Sequence, residues 1–62
     1  MMLPDVIRLI ENDGWFRVRT RGSHRQYVHP RKPGVLTIRR HPADALSPGA
    51  VHSIHLQAEV RL

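Results

Sequence analysis

Apolar positions along the chain change period twice, and the changes divide it into elements. Leu3, Val6, Ile7 and Ile10 recur at helical spacing and form the stripe of a short amphipathic helix. Pro4 suits the first turn, where a missing N–H costs nothing, and Asp5 favours the positive end of the helix dipole. Asp13-Gly14 ends the helix, with Gly14 free to take a left-handed terminus.

From Trp15 to Thr20 the period drops to two. Phe16, Val18 and Thr20 are expected on the core face of a strand, with Arg17, Arg19 and Arg21 in a row on the other. Gly22-Ser23 breaks this strand, and His24 to His29 reads as a second, antiparallel one. Pro30 to Gly34 is a turn, and Val35 to Ile38 is strongly β-forming. His41-Pro42 closes the third strand. Ser47-Pro48 starts a second helix, serine as cap and proline in the first turn. That helix is expected to run to about Val60, with Val51, Ile54 and Ala58 on its inner stripe. The order helix, three-stranded meander, helix predicts an α+β sandwich of two layers, α-β-β-β-α, with both helices on one face of an antiparallel sheet.

Sixty-two residues make one small domain with a thin core, and no cysteine is present to staple it. This excludes disulfide-built secreted mini-proteins, cysteine-ligated zinc and thiol nucleophiles. No uncharged run approaches a membrane span and no signal peptide opens the chain, so no membrane partner is expected and the cytoplasm is the expected location.

Charge changes the picture most. Ten Lys and Arg against five Asp and Glu give a net charge of +5. Nine of the ten cations are arginine, which suits bidentate phosphate contacts and stacking on bases. Between Arg17 and Arg40 there are eight cations and no acid. A basic middle between mildly acidic ends points to a polyanion partner, either nucleic acid (RNA included) or an acidic protein, with Arg17, Arg19, Arg21, Arg25, Arg39 and Arg40 as the candidate binding residues.

Several residues in this order resemble the HicA family, the toxin half of HicAB toxin–antitoxin modules. They are Asp13-Gly14-Trp15, Arg19 through Gly22-Ser23-His24, Gln26-Tyr27, His29-Pro30, Gly34, Leu36-Thr37-Ile38, His41-Pro42, Gly49, Ser53-Ile54 and Gln57-Ala58. The resemblance spans essentially the whole chain. It implies a fold like the double-stranded-RNA-binding domain, ribonuclease activity on mRNA, and a HicB-like antitoxin partner that masks the active site. By position in the Gly-Ser-His motif, the catalytic residue it implies is His24. The chain departs from the family in its last helix, which reads Ser53-Ile54-His55-Leu56-Gln57-Ala58-Glu59. Leucine falls one place late, an imidazole enters the inner stripe, and glutamate stands where the family has glycine.

Metal-free RNA cleavage needs a base for the 2′-hydroxyl, positive charge for the phosphorane, and an acid for the leaving oxygen. Histidine titrates near neutrality and suits both proton roles. His41, next to Arg39 and Arg40, is the second candidate as acid–base helper; His29 reads first as a turn residue. Ser23 is a turn residue that can also donate to a phosphate. His52 and His55, spaced i, i+3, are too few for a metal site, so no metal and no cofactor are expected. Trp15 and Tyr27 read as core anchors that can alternatively stack on bases. The same basic face also suits a non-catalytic RNA-binding module, an inactive toxin homologue bound to an acidic antitoxin, or a protein-interaction domain.

Overall fold

The first helix, α1, spans Leu3–Asp13 and buries Leu3, Val6 and Ile10. Its end is a Schellman turn: the Gly14 N–H donates to the Glu11 carbonyl at 3.0 Å and the Trp15 N–H to the Ile10 carbonyl at 3.1 Å. Gly14 takes φ +120° there, a conformation that side-chain-bearing residues rarely adopt. The computed structural model describes residues 1–40 and 42–62, of Pro42 the backbone only.

Three strands follow, β1 (Phe16–Arg21), β2 (His24–Val28) and β3 (Leu36–Arg39), then a short 3₁₀ turn, Pro42–Asp44, and helix α2 (Pro48–Ala58). The strands form one antiparallel sheet in the order β1-β2-β3. The architecture is the expected α-β-β-β-α order, an α+β fold. Ser47 caps α2 as its sequence predicts, the hydroxyl accepting from the Ala50 N–H at 3.1 Å. Strand limits move by one residue at most ends, and α2 stops at Ala58 rather than near Val60. The N-terminus adds a contact not legible locally: Met2 bridges Ala45, and the Leu46 N–H donates to the Met1 carbonyl at 3.0 Å.

One apolar cluster holds the layers together. Leu3, Val6 and Ile10 of α1 meet Trp15, Tyr27 of β2, Leu36 and Ile38 of β3, Leu46, and Ile54 and Ala58 of α2. Trp15 and Tyr27 are each 2% exposed, so both are core anchors and neither presents a ring to solvent. The Trp15 indole N–H donates to the Ala58 carbonyl at 3.0 Å, pinning the end of α2 to the end of α1.

The altered stretch of α2 fits without rotation of the helix. Ile54 and Ala58 are buried, with Val51 and His55 partly so, as the stripe predicts. The His55 ring pairs through Nδ1 with the Val60 carbonyl at 2.7 Å, so the imidazole on the inner stripe has its polar partner. Leu56 stays on the outside, 61% exposed. Glu59 ends the helix with φ 52°, ψ 45°, the left-handed conformation that glycine adopts at least cost.

A corner of the fold joins α1, the β2–β3 loop and α2. His29 stands edge-on to Trp15, ring centroids 5.2 Å apart. Its Nδ1 accepts from the backbone N–H groups of Arg31 at 3.0 Å and Lys32 at 3.1 Å, so the proton is on Nε2, which donates to the Asp13 carbonyl at 2.8 Å. Lys32 Nζ reaches Asp13 Oδ2 at 2.7 Å, the Glu59 carbonyl at 2.6 Å and the Ala58 carbonyl at 3.2 Å. The ammonium thus caps the carbonyl end of α2 where a cation is favoured. Nothing local in Pro30-Arg31-Lys32-Pro33 announces that role, because its partners lie far along the chain.

A candidate RNA-binding face

The sheet has a helix-covered face and an open one, and register decides which residues reach each. Residues directly opposite on neighbouring strands share a face. Tyr27 pairs with Leu36, and Arg25 with Ile38, on the covered side. His24 pairs with Arg39 on β3 and Arg21 on β1, and Gln26 pairs with Thr37 and Arg19, all on the open side.

The expected arginine row on β1 does not hold. A β-bulge shifts the register between Arg17 and Arg19, leaving Val18 without a paired partner on β2. A bulge adds one residue to a period-two pattern, so residues on its two sides exchange faces relative to a regular strand. Arg17 therefore pairs with Tyr27 on the covered side, whereas Phe16, opposite Val28, shares the open face with Arg19 and Arg21. The expected core face of this strand fails for the same reason and because β1 is an edge. Phe16 is 50% and Val18 54% exposed.

Arg25 lies apart from the other candidate arginines of the sheet. Its pairing with Ile38 turns it toward α1, where it lines a cleft of about 420 Å³ with Glu11 and Asp44. Ser23 is exposed in the β1–β2 turn, and its carbonyl accepts the Arg40 N–H at 2.7 Å, one step beyond the end of β3. His41 lies outside the described residues.

What comes together on the open face is His24, Arg21, Arg39 and Arg19. His24 is half-buried at the start of β2, and Arg39 Nε donates to its Nε2 at 3.3 Å. Arginine has donors only, so the Nε2 that accepts carries a lone pair and the ring proton is on Nδ1. An imidazole lone pair flanked by guanidinium groups suits proton abstraction beside an anionic phosphate. Phe16 is the residue that the sequence pattern misplaces. It offers an exposed aromatic ring at the far end of β1 from His24, on the same face, where an unpaired base can stack.

The other described histidines, His29, His52 and His55, lie away from this face. Both ring nitrogens of His29 are held in the structural corner. His52 and His55 stack at 6.0 Å beside a separate cleft of about 540 Å³. Among the described residues no group of three or more His, Cys, Asp or Glu gathers to hold a metal ion. No described helix is long and apolar enough to cross a membrane.

Comparison with curated proteins returns no match. A family model described as the HicA toxin of bacterial toxin-antitoxin matches residues 4–60, from the first turn of α1 to just past the Glu59 terminus. That span takes in the α-β-β-β-α order, the His24 turn and the basic open face together, and the chain belongs to the HicA toxin family.

Proposed function

We propose that this chain is the toxin of a toxin–antitoxin pair and acts as a metal-independent endoribonuclease on mRNA, held in check by a HicB-like antitoxin. The observation that carries the reading is the contact between Arg39 and His24, 3.3 Å apart, on the open basic face. His24 Nε2 takes the proton of an RNA 2′-hydroxyl as Arg39 turns from it to the phosphate. The 2′-oxygen attacks the adjacent phosphorus and the bond to the 5′-oxygen breaks. The products are a 2′,3′-cyclic phosphate and a 5′-hydroxyl. Arg39 and Arg21 balance the charge that develops on the phosphoryl oxygens. His41 is the proposed acid that protonates the leaving 5′-oxygen. Arg19 and Arg21 hold flanking phosphates.

The test is expression of the wild type and of His24→Ala, scored for growth arrest and mRNA integrity, with purified protein assayed in excess EDTA. Wild-type protein is expected to cleave RNA in the chelator, and the alanine variant to bind RNA with near wild-type affinity without cleaving it. Cleavage by His24→Ala at the wild-type rate, or loss of wild-type cleavage on chelation, overturns the reading. Binding without cleavage by the wild type assigns the face to a non-catalytic RNA-binding module.

A further inference from the structure

Among the described residues one edge of the third strand pairs with no other strand, and a groove runs beside that edge. The Arg40 N–H donates to the Ser23 carbonyl across the β2–β3 ladder. Backbone direction alternates along an antiparallel strand, so Leu36 and Ile38 also turn their N–H and C=O groups to β2. The backbone groups of Thr37 and Arg39 face the opposite way, toward the free edge of the sheet. Between this edge and α2 lies a groove of about 360 Å³, lined by Thr37, Ile38 and Arg39 of β3 and by Ala50, Ser53 and Gln57 of α2.

An edge strand beside a helix, with a groove between them, is the geometry in which a sheet accepts an added strand from another chain. The other edge, β1, is a poorer acceptor, because its bulge interrupts the regular backbone spacing. Charge sets the occupant. Arg39 and Arg40 stand at the β3 end and no acid occurs between Arg17 and Arg40. A second copy of this chain brings its own arginines to the same edge and is repelled. An acidic segment is attracted.

We infer that the free edge of β3 docks an extended acidic segment of the antitoxin, added as a fourth strand, with apolar residues alternating with acidic ones. Period two then places the apolar side chains in the groove over Ile38 and Ala50, and the acidic ones on the open face beside Arg39. A carboxylate at that position competes with RNA phosphate for the guanidinium that contacts His24. The inference rests on the toxin–antitoxin reading and goes beyond it in naming the strand, the groove and the pattern of the partner segment.

The test is amide hydrogen exchange by NMR on the full chain, free and bound to its cognate antitoxin. The expected result is new protection of the Thr37 and Arg39 amides in the complex, with the edge amides of β1 unchanged. Thr37→Pro removes one outward N–H without touching the ladder to β2, and Ser53→Trp fills the groove from the helix side. Each is expected to weaken antitoxin binding by about tenfold or more, the worth of one or two lost edge hydrogen bonds or an equivalent steric block. Since Ser53 lies on the exposed face of α2, that variant keeps the test sound if proline disturbs the strand. Wild-type affinity in folded Ser53→Trp, or a complex in which both amides exchange as in the free chain, overturns the inference. So does protection of these amides by RNA, or by raised concentration of the chain alone. Cleavage of RNA by the free chain is measured separately, so failure of the ribonuclease reading leaves a different signature from failure of edge docking.

Discussion

The His29 ring closes over Gly14 so tightly that a Cβ added to Gly14 falls 2.8 Å from His29 Nε2. The contact adds a second reason for glycine at this helix end. Its φ of +120° already disfavours any side chain, and the imidazole removes the space for one. His29 cannot retreat freely, because its two nitrogens are held by Asp13, Arg31 and Lys32.

Gly14→Ala is therefore expected to destabilise the fold by at least ~1–3 kcal/mol from backbone strain, before any displacement of His29 is counted. Urea denaturation measures it as a lower midpoint with unchanged slope. An unaltered midpoint contradicts the close approach.

Acid stability follows from Asp13. The Lys32 ammonium, hydrogen-bonded to its carboxylate, holds that group below its ordinary value of 3.8, with His29 adding a smaller effect in the same direction. A carboxyl with a lowered pKa in the folded state stabilises fully above its unfolded pKa. The contribution is lost as the pH falls through the folded value, here in the range below 3.8. Asp13→Asn should make thermal stability less dependent on pH across that acid range while lowering it at neutral pH. Identical acid limbs in the two proteins refute the coupling.

At the other end of this corner, Glu59 holds a backbone conformation suited to glycine. Glu59→Gly is expected to raise stability by roughly 0.5–1 kcal/mol, the left-handed strain relieved less the extra freedom glycine brings to the unfolded chain. The Lys32 bond to the residue 59 carbonyl is retained, since it uses only backbone. A lower melting temperature for the glycine variant counts against this account.

RNA affinity is expected to divide the arginines by face. Arg19, Arg21 and Arg39 share the open side, whereas register carries Arg17 and Arg25 to the covered one. With three phosphate contacts at about −0.7 each, log K against log salt should fall with a slope near −2 on single strands. Arg19→Ala or Arg21→Ala should weaken binding across unrelated sequences and make the slope shallower by about one contact, and Arg17→Ala or Arg25→Ala should change it less. Equal losses at Arg25 and Arg21 in filter-binding titrations contradict the assignment of faces.

Phe16 is expected to supply a different kind of contact to RNA, stacking rather than charge. Phe16→Ala is expected to cost ~1–3 kcal/mol of affinity for unpaired RNA through lost stacking, with little change in affinity for a duplex. Its stability should be close to wild type, because the ring is already half exposed. A variant that loses stability but not single-strand affinity shows the ring to be structural.

The elements and their order follow from information that is local in the chain. Helical spacing at Leu3, Val6 and Ile10, the Ser47-Pro48 start and the Gly22-Ser23 break each act through neighbouring residues, so each can be read without the rest. The basic middle and the place of His24 at a strand start are legible in the same way. The faces are not. A bulge near Val18 depends on how β1 meets β2, and one added residue in a period-two pattern moved Phe16 into the open and Arg17 out of the row. The partners of Lys32 at Asp13, Ala58 and Glu59 are likewise separated along the chain and meet only when three elements close on one corner. Local pattern determined what the segments are. Pairing register and long-range contacts, which no local pattern encodes, decided which side chains share a surface with His24.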